Sequence, residues 1–404
     1  MTISLSRKVA AAVVAWTLIG AGVASGGQPP DAPPPGTLTL GPVRITPGLL
    51  LKDMGVDNNV FNEPVDPKHD VTFTLTPRAD VRFRMRRLHL GLTTSTDYVY
   101  YRTYESERGT NTYVSGRAEF DLGTLKPYVS ATALNSQNRI NAEVDARARH
   151  RDVVYAGGLT FKIASRTSVV LNGSQGSVAY EPDEEFRGIS LDESLNGTRR
   201  TIDGGLAIAL TPLTTFSMTL ARERQRFAFS PGRDADAWRV SPAFIFSPTG
   251  LLSGSASVGF RQFHTRSPDL PDYSGVVSAV SVAATIYDRH QVVGAFNRDV
   301  QYSYDTATAY YLGTGGSVTW TMLIAGPIDI RGTAGRTLMD YSVSGVSEGR
   351  DTTTTYGGGL GYRFSNHARV GVNAEWSRRA STRSADRNYR NNRIFAGLTW
   401  GTTS

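Results

Sequence analysis

The chain has 404 residues, a formal net charge of +7 and no cysteine. This fits an exported protein that does not depend on disulfides. Hydrophobic residues make up 40% of the chain and the mean hydropathy is −0.26, too polar for a helical membrane protein. One soluble domain of this length would show helical segments or a domain break, and neither is visible.

Residues 1–25 have the order of a cleaved secretory signal. Arg7 and Lys8 supply the charge, Val9 to Gly20 the apolar stretch, and Gly22, Ala24 and Ser25 a small-residue cleavage site. No cysteine follows, which excludes a lipoprotein anchor. Residues 26–42 are rich in proline, from Pro29 to Pro35, and read as an extended periplasmic leader without a fold of its own.

From Val43 onward one unit repeats: an alternating run, a tight turn, a second alternating run and a longer polar loop. The first strand is Val43–Met54. The second places Val71, Phe73, Leu75, Val81, Phe83 and Met85 on one face, with Thr72, Thr74, Thr76, Arg78, Arg82 and Arg84 on the other. Period two over that length is the signature of a half-buried strand. The return strand puts Leu88, Leu90, Leu92, Tyr98 and Tyr100 outward. Further pairs follow at Asn111–Leu122 with Leu125–Leu134, Val153–Lys162 with Thr167–Tyr180, and Thr201–Leu210 with Thr214–Arg226. Next come Ala237–Ser247 with Leu251–His264, Tyr273–Thr285 with Asp288–Ser303, and Tyr310–Met322 with Pro327–Tyr341. Thr352–Phe364 with Ala368–Arg379 and the closing strand Asn388–Trp400 complete the set.

The count is about 18 strands, within a range of 16–20, at about 20 residues each, enough for a tilted membrane strand of about 9–11 residues. Short turns alternate with long loops. The fold class is therefore all-β: a transmembrane antiparallel β-barrel over residues 43–400, with 401–404 as a tail, in the outer membrane of a Gram-negative-type bacterium. The expected surroundings are outer-membrane lipid and lipopolysaccharide, and the barrel assembly machinery. Leu398 and Trp400 form the terminal assembly signal, although four residues follow. A soluble sandwich or solenoid is the competing architecture, but the outward faces are too uniformly apolar for it, and no fixed-period motif appears.

The inward face is mixed in charge. Lumen-lining candidates are Arg82, Arg84, Asp97, Arg117, Glu119, Arg239, Arg261, Asp299, Arg331, Arg363 and Glu375. Opposite charges on neighbouring strands brace a wet wall. The same groups would hydrogen-bond hydroxyl-rich or anionic solutes. Aromatics near strand ends, among them Tyr98, Tyr101, Tyr180, Trp238, Phe263, Tyr310, Tyr311, Tyr341, Trp376 and Trp400, are expected in interfacial girdles. Inward ones such as Tyr101, Tyr113 and Phe263 are candidates for ligand contact.

No Ser/His/acid constellation is visible among six scattered histidines, so an enzyme is not expected. Glu181 to Glu185 and Asp192-Glu193 offer oxygen ligands for Ca²⁺ but lack an EF-hand pattern. Neither a cofactor nor a metal is expected. Arg222, Arg224, Arg226, Arg378 and Arg379 lie toward the outer strand ends, where lipid phosphates would suit them. The arginines form no patch, which argues against nucleic acid.

Gly55-Val56-Asp57-Asn58-Asn59-Val60-Phe61 follows a strand containing Pro47 and precedes Asp70 to Pro77. This stretch resembles the N-terminal hairpin of the putative β-barrel porin type 2 family. Gly55, Asp57, Asn58, Asn59 and Phe61 carry the resemblance; read locally, Asp57-Asn58-Asn59 is turn chemistry. The resemblance implies an outer-membrane conduit for exopolysaccharide, working with a periplasmic polysaccharide-export protein. The chain departs from larger secretion porins in lacking a periplasmic helical-repeat domain. Two other readings stay open: a general diffusion porin for small hydrophilic solutes, and a non-conducting surface scaffold or adhesin.

Overall fold

The computed structural model describes residues 37–401 except 249, 269, 288, 307, 309, 344, 345 and 366. The expected signal stretch, the leader as far as residue 36 and the last three residues of the tail lie outside the described residues.

Eighteen antiparallel strands close into a barrel. They are β1 (Val43–Asp57), β2 (Asp70–Met85), β3 (Leu88–Tyr101), β4 (Gly109–Phe120), β5 (Leu125–Ser136) and β6 (His150–Lys162). Then follow β7 (Thr167–Tyr180), β8 (Gly197–Thr211), β9 (Thr214–Phe227), β10 (Ala235–Phe246), β11 (Leu252–Thr265) and β12 (Tyr273–Ile286). The last six are β13 (His290–Tyr302), β14 (Tyr310–Ala325), β15 (Ile328–Val343), β16 (Val346–Ser365), β17 (Ala368–Ser381) and β18 (Tyr389–Gly401). Each pairs with the next, and β18 pairs with β1 from Gly48–Gly401 to Asp57–Arg393. Closure is what the alternation demands: a spanning sheet cannot leave a row of unpaired backbone groups in hydrocarbon.

Two expectations need correction. The alternation ends at Tyr341 and resumes at Thr352, which predicts a long loop between them. Instead β15 runs to Val343 and β16 starts at Val346, so this hairpin projects as paired strand. Its Thr-rich run Thr352 to Thr355 suits extended backbone. The leader also does not stay unpacked to residue 42. Leu38–Leu40 forms a short strand on Val43–Ile45, the part of β1 that β18 does not reach.

The faces follow the period of two. Val71, Phe73, Leu220, Val240, Phe260 and Trp376 stand exposed on the outer surface, while Thr72, Thr74 and Thr76 of β2 are buried inside. The ladder between β12 and β13 ends at Ser278–Arg298, although both strands continue along their other neighbours. Side chains replace the missing backbone donors there. The carbonyl of Val276 accepts from the Tyr273 hydroxyl at 3.1 Å and from Arg298 Nε at 3.3 Å.

The closing seam carries a bulge. Register shifts between Lys52 and Gly55, with Asp53 at φ 55°. Lys52 bonds Asp97 at 3.1 Å, and Asp53 pairs with Arg393 at 3.1 Å. Past the bulge, Gly55 lies so close to β18 that a Cβ would sit 1.9 Å from the Ile394 carbonyl oxygen. Gly55→Ala should therefore loosen closure by about 1–3 kcal/mol, the usual cost of overpacking. In detergent gels the folded, faster-migrating form of the variant should be lost at a lower temperature than in the wild type; equal heat resistance would contradict the seam geometry.

Candidate functional site

The short connections and both described termini lie at one end of the barrel and most long loops at the other. The first end is assigned to the periplasm and the second to the outside. Between them the inward side chains form three layers.

The periplasmic layer contains most of the expected lumen residues. Arg82 pairs with Asp80 at 2.9 Å, Arg84 donates to His89 at 3.1 Å, and Arg117 pairs with Glu119 at 3.1 Å while lying 3.7 Å over the Tyr128 ring. Nearer the outer end, Asp97 accepts from Lys52 and from the Thr76 hydroxyl at 2.6 Å. Arg363 and Arg369 flank the buried Asp329 at 3.0 and 2.7 Å. Arg331 is exposed on the same face; Glu375, opposite Arg393 in register, lies higher, toward the outer end. The Arg369 guanidinium lies over Gly361 and Gly371, where Cβ atoms would come within 2.2 and 2.9 Å of it.

The middle layer differs from expectation. Arg239, Arg261 and Asp299 do not line a free path. With Glu223 they form a four-membered ion cluster, at 2.7 Å for both Arg261 contacts and 3.3 and 3.6 Å for those of Arg239. Phe227, Phe263, Tyr302 and Tyr310 pack above it. Each of these charges has partners on two sides, which offsets the cost of taking it out of water.

The outer layer is a segment whose sequence reads as a plain polar loop. Residues 137–149, between β5 and β6, fold across the mouth. Arg139 pairs with Asp145 at 2.9 Å and donates to the Val60 carbonyl at 2.6 Å. Arg147 reaches Glu107 and the Tyr101 hydroxyl. On the far side Arg379 of β17 donates to the Ala142 carbonyl at 2.7 Å. Ile140, Val144 and Ala148 pack against Tyr180, Leu191 and Tyr304. Contacts to β3, β7, β17 and the β13–β14 connection place the segment over the lumen and not on the rim.

At its centre is Glu143, fully buried. It accepts from Ser303 Oγ at 2.7 Å and from the Tyr304 amide at 3.2 Å. Arg387 donates to its backbone carbonyl at 3.1 Å and pairs with the fully buried Asp351 at 3.0 Å, beside Arg379 at 2.6 Å. Arg233, Tyr311 and Tyr341 complete its charged and titratable surroundings. Burial pushes the carboxyl up to about 7, against the hydrogen bonds from Ser303 and Tyr304 and the Arg387 charge.

Several other expectations shift. Arg379 faces inward and is buried, unlike Arg378. Arg222 is outward beside the Trp238 ring. Tyr98, Tyr100, Trp238, Tyr356, Trp376, Leu398 and Trp400 are outward and exposed, as a girdle requires. Tyr101, Tyr180, Phe263, Tyr310, Tyr311 and Tyr341 are buried in the outer layer instead, and Tyr113 is half-buried. The acidic run after β7 is held by Arg149, at 3.5 Å from Glu181, 2.5 Å from Asp183 and 2.6 Å from Glu184, so a cation already occupies its oxygens. His264 and Thr265 both bond Asp272, an order in which no hydroxyl is aimed at the imidazole.

The family-like hairpin is a clasp. Asp57 Oδ1 accepts from the Asn59 amide at 3.0 Å and from Asn391 Nδ2 at 2.9 Å. Asn58 Oδ1 accepts from the Asn392 amide at 2.7 Å, and Asn59 Nδ2 donates to the Arg390 and Glu63 carbonyls at 2.9 and 2.8 Å. Phe61 meets Tyr104 edge-on at 4.9 Å between ring centroids.

The family pattern described as putative beta-barrel porin 2 matches residues 38–401. Among solved structures, the fold resembles the outer membrane protein opdK of Pseudomonas aeruginosa, with 8% identity and a TM-score of 0.50, over 89% of this chain and 99% of that one. OccK9 (OpdG) of Pseudomonas aeruginosa gives 11% identity and 0.48, over 89% and 98%. A BenF-like porin of Pseudomonas fluorescens Pf-5 gives 11% identity and 0.48, over 89% and 99%. No curated protein matches the sequence.

Glu143 sets a pH dependence. Its docked carboxyl holds a proton up to about pH 7, whereas a released one titrates near 4.3. The docked segment therefore binds more protons over that window, and docking weakens as pH rises from about 4.3 to 7 and levels off above. Amide hydrogen exchange of residues 139–148, corrected for intrinsic rates, should show protection falling between pH 5 and 8. Glu143→Gln keeps the acceptor oxygen and should flatten the dependence. An unchanged slope in that variant would remove Glu143 from the account.

Proposed function

The chain belongs to the putative beta-barrel porin 2 family, and from that premise we propose that it is the outer-membrane conduit through which a hydrophilic polymer, an exopolysaccharide, leaves the cell. The chain is an integral outer-membrane β-barrel of porin-like fold. The observation that carries the reading is the lumen. Its periplasmic half is lined by exposed arginines and by serine and threonine hydroxyls, a surface that exchanges hydrogen bonds with a sugar chain without trapping it. The resemblance at Gly55 to Phe61 supplies the cargo class. Passage is passive diffusion, and a periplasmic polysaccharide-export protein would dock at the short-turn rim to feed it.

Residues 137–149 are the gate in this scheme. A polymer leaves only when that segment lifts away from Ser303, Arg379 and Arg387. A second reading has its own support: a mouth narrowed by an inward-folded segment also suits a porin for small hydrophilic solutes. Neither reading assigns the chain a catalytic step.

Removing residues 139–148 should raise single-channel conductance in planar bilayers several-fold over the wild type. Deleting the gene should lower surface polysaccharide. Unchanged polysaccharide with reduced small-solute uptake would transfer the assignment to the porin reading. Absence of conductance in both wild type and deletion variant would sink both channels and leave the scaffold.

A further inference from the structure

The periplasmic half of the lumen has two chemically different walls. One spans β15 to β18 and β1 to β4. Its inward rows put arginine beside arginine: Arg44 faces Arg82, Arg82 faces Gly91, and Gly91 faces Arg117. Arg363 likewise faces Arg369. Like charges directly opposite one another across strands are destabilising. The pair Arg363 and Arg369 is compensated by Asp329 between them. The exposed row of Arg44, Arg82 and Arg117 has Asp80 and Glu119 at its edges, one carboxylate fewer than its guanidiniums.

The other wall spans β8 to β14. One continuous inward row there runs Thr215, Ile245, Ser255, Ser281, Ala295 and Ser317 through paired neighbours. Between the row of Asp203, Arg239 and Arg261 and the β8–β14 turns, its described inward positions carry no charge. Ser257 donates to the Ala279 carbonyl at 3.1 Å, which leaves its oxygen free to accept from a passing hydroxyl.

We infer that the periplasmic half of the lumen is a binding track for an anionic, hydroxyl-bearing glycan. Its acid groups take up the excess guanidinium charge of the row Arg44, Arg82 and Arg117, while its hydroxyls run along the serine and threonine wall of β8 to β14. Guanidiniums match carboxylates or phosphates in a fork, and short hydroxyls exchange weak, interchangeable bonds with sugar hydroxyls. One side sets the charge of the cargo and the other lets it slide. This inference rests on the conduit reading for its biological sense, but its binding chemistry is separable from conduction.

Isothermal titration of the full chain in detergent tests it with three probes of equal length: a galacturonate hexamer, maltohexaose and hexaglutamate. The galacturonate should bind at least about tenfold more tightly than either other probe, the change that about 1.4 kcal/mol produces. The variant Arg44→Gln/Arg82→Gln/Arg117→Gln should lose about tenfold for galacturonate and leave maltohexaose unchanged. The variant Ser255→Ala/Ser281→Ala/Ser317→Ala should weaken both sugars and leave hexaglutamate unchanged. If the arginine variant does not fold, as judged by heat-shifted gel migration, the salt dependence of wild-type binding decides: galacturonate affinity must fall with salt and maltohexaose affinity must not. Equal affinity for maltohexaose and galacturonate, or for hexaglutamate and galacturonate, overturns the inference. Galacturonate binding without conductance in bilayers would overturn the conduit and leave the track; conductance without any probe preference would do the reverse.

Discussion

Everything in this barrel depends on one requirement, that no backbone donor or acceptor be left unpaired where lipid surrounds it. Seventeen of the eighteen strand contacts join neighbours in sequence, through tight turns at one end and longer loops at the other, and are entropically cheaper to close. The eighteenth joins residues 48–57 to 393–401 and closes the longest loop in the chain. It is also where local devices concentrate. A bulge at Asp53 turns two polar side chains inward, Gly55 lets β1 approach β18 within backbone contact, and Asp57, Asn58 and Asn59 bind the chain across the seam. Where the ladder does fail, between β12 and β13, a tyrosine and an arginine side chain supply the donors.

Closure then dictates where charge can go. With the outer face given to lipid, ionisable groups collect inside, and their fate depends on what covers them. In the open periplasmic half they remain partly exposed pairs of modest strength. Toward the outside the loops cover them, and they survive as buried ion clusters: Glu223 with two arginines, and Asp351 with Arg379 and Arg387. Breaking such a cluster costs far more than breaking a surface pair, because it strands a buried charge. The mouth is thus held by groups that are stable together and intolerant of partial loss. Glu143 is the exception. Its carboxyl has hydrogen-bond donors but no direct salt bridge among the described residues, and burial carries it to about 7.

The period of two carried most of the fold into the sequence. It located all eighteen strands, because a strand buried on one face cannot slip by one residue without reversing every side chain. What it did not carry lies where long-range packing overrides the local pattern. Tyr310, Tyr311 and Tyr341 read as girdle residues by their position near strand ends, yet they are buried beneath loops that arrive from elsewhere in the chain. Arg379 reads with Arg378 as a rim charge; one residue of offset puts it inside, where Asp351 and the Ala142 carbonyl hold it. Asp57-Asn58-Asn59 has the composition of a turn, and nothing local announces that its partners lie more than 300 residues away. Residues 137–149 are polar and Asn/Arg-rich, as a solvated loop would be. Their inward fold depends on Arg379 and Arg387, which periodicity cannot link to them.

The two halves of the lumen therefore impose different physical demands on any cargo. The periplasmic half offers many weak, interchangeable contacts spread around an exposed wall, which favours capture and sliding over tight residence. The outer half offers a few strong contacts that are already made to the protein itself. A cargo molecule gains entry to the outer half only by replacing bonds to residues 137–149, and each bond it replaces must be offset by one it forms. A small solute has few groups with which to do this. A polymer already held along the inner wall presents successive sugar units at the gate with no new translational entropy to lose. Under the proposed export reading, the geometry that hinders a single sugar would admit a chain of them, and this asymmetry is the physical reason that reading accounts for both halves of the barrel at once.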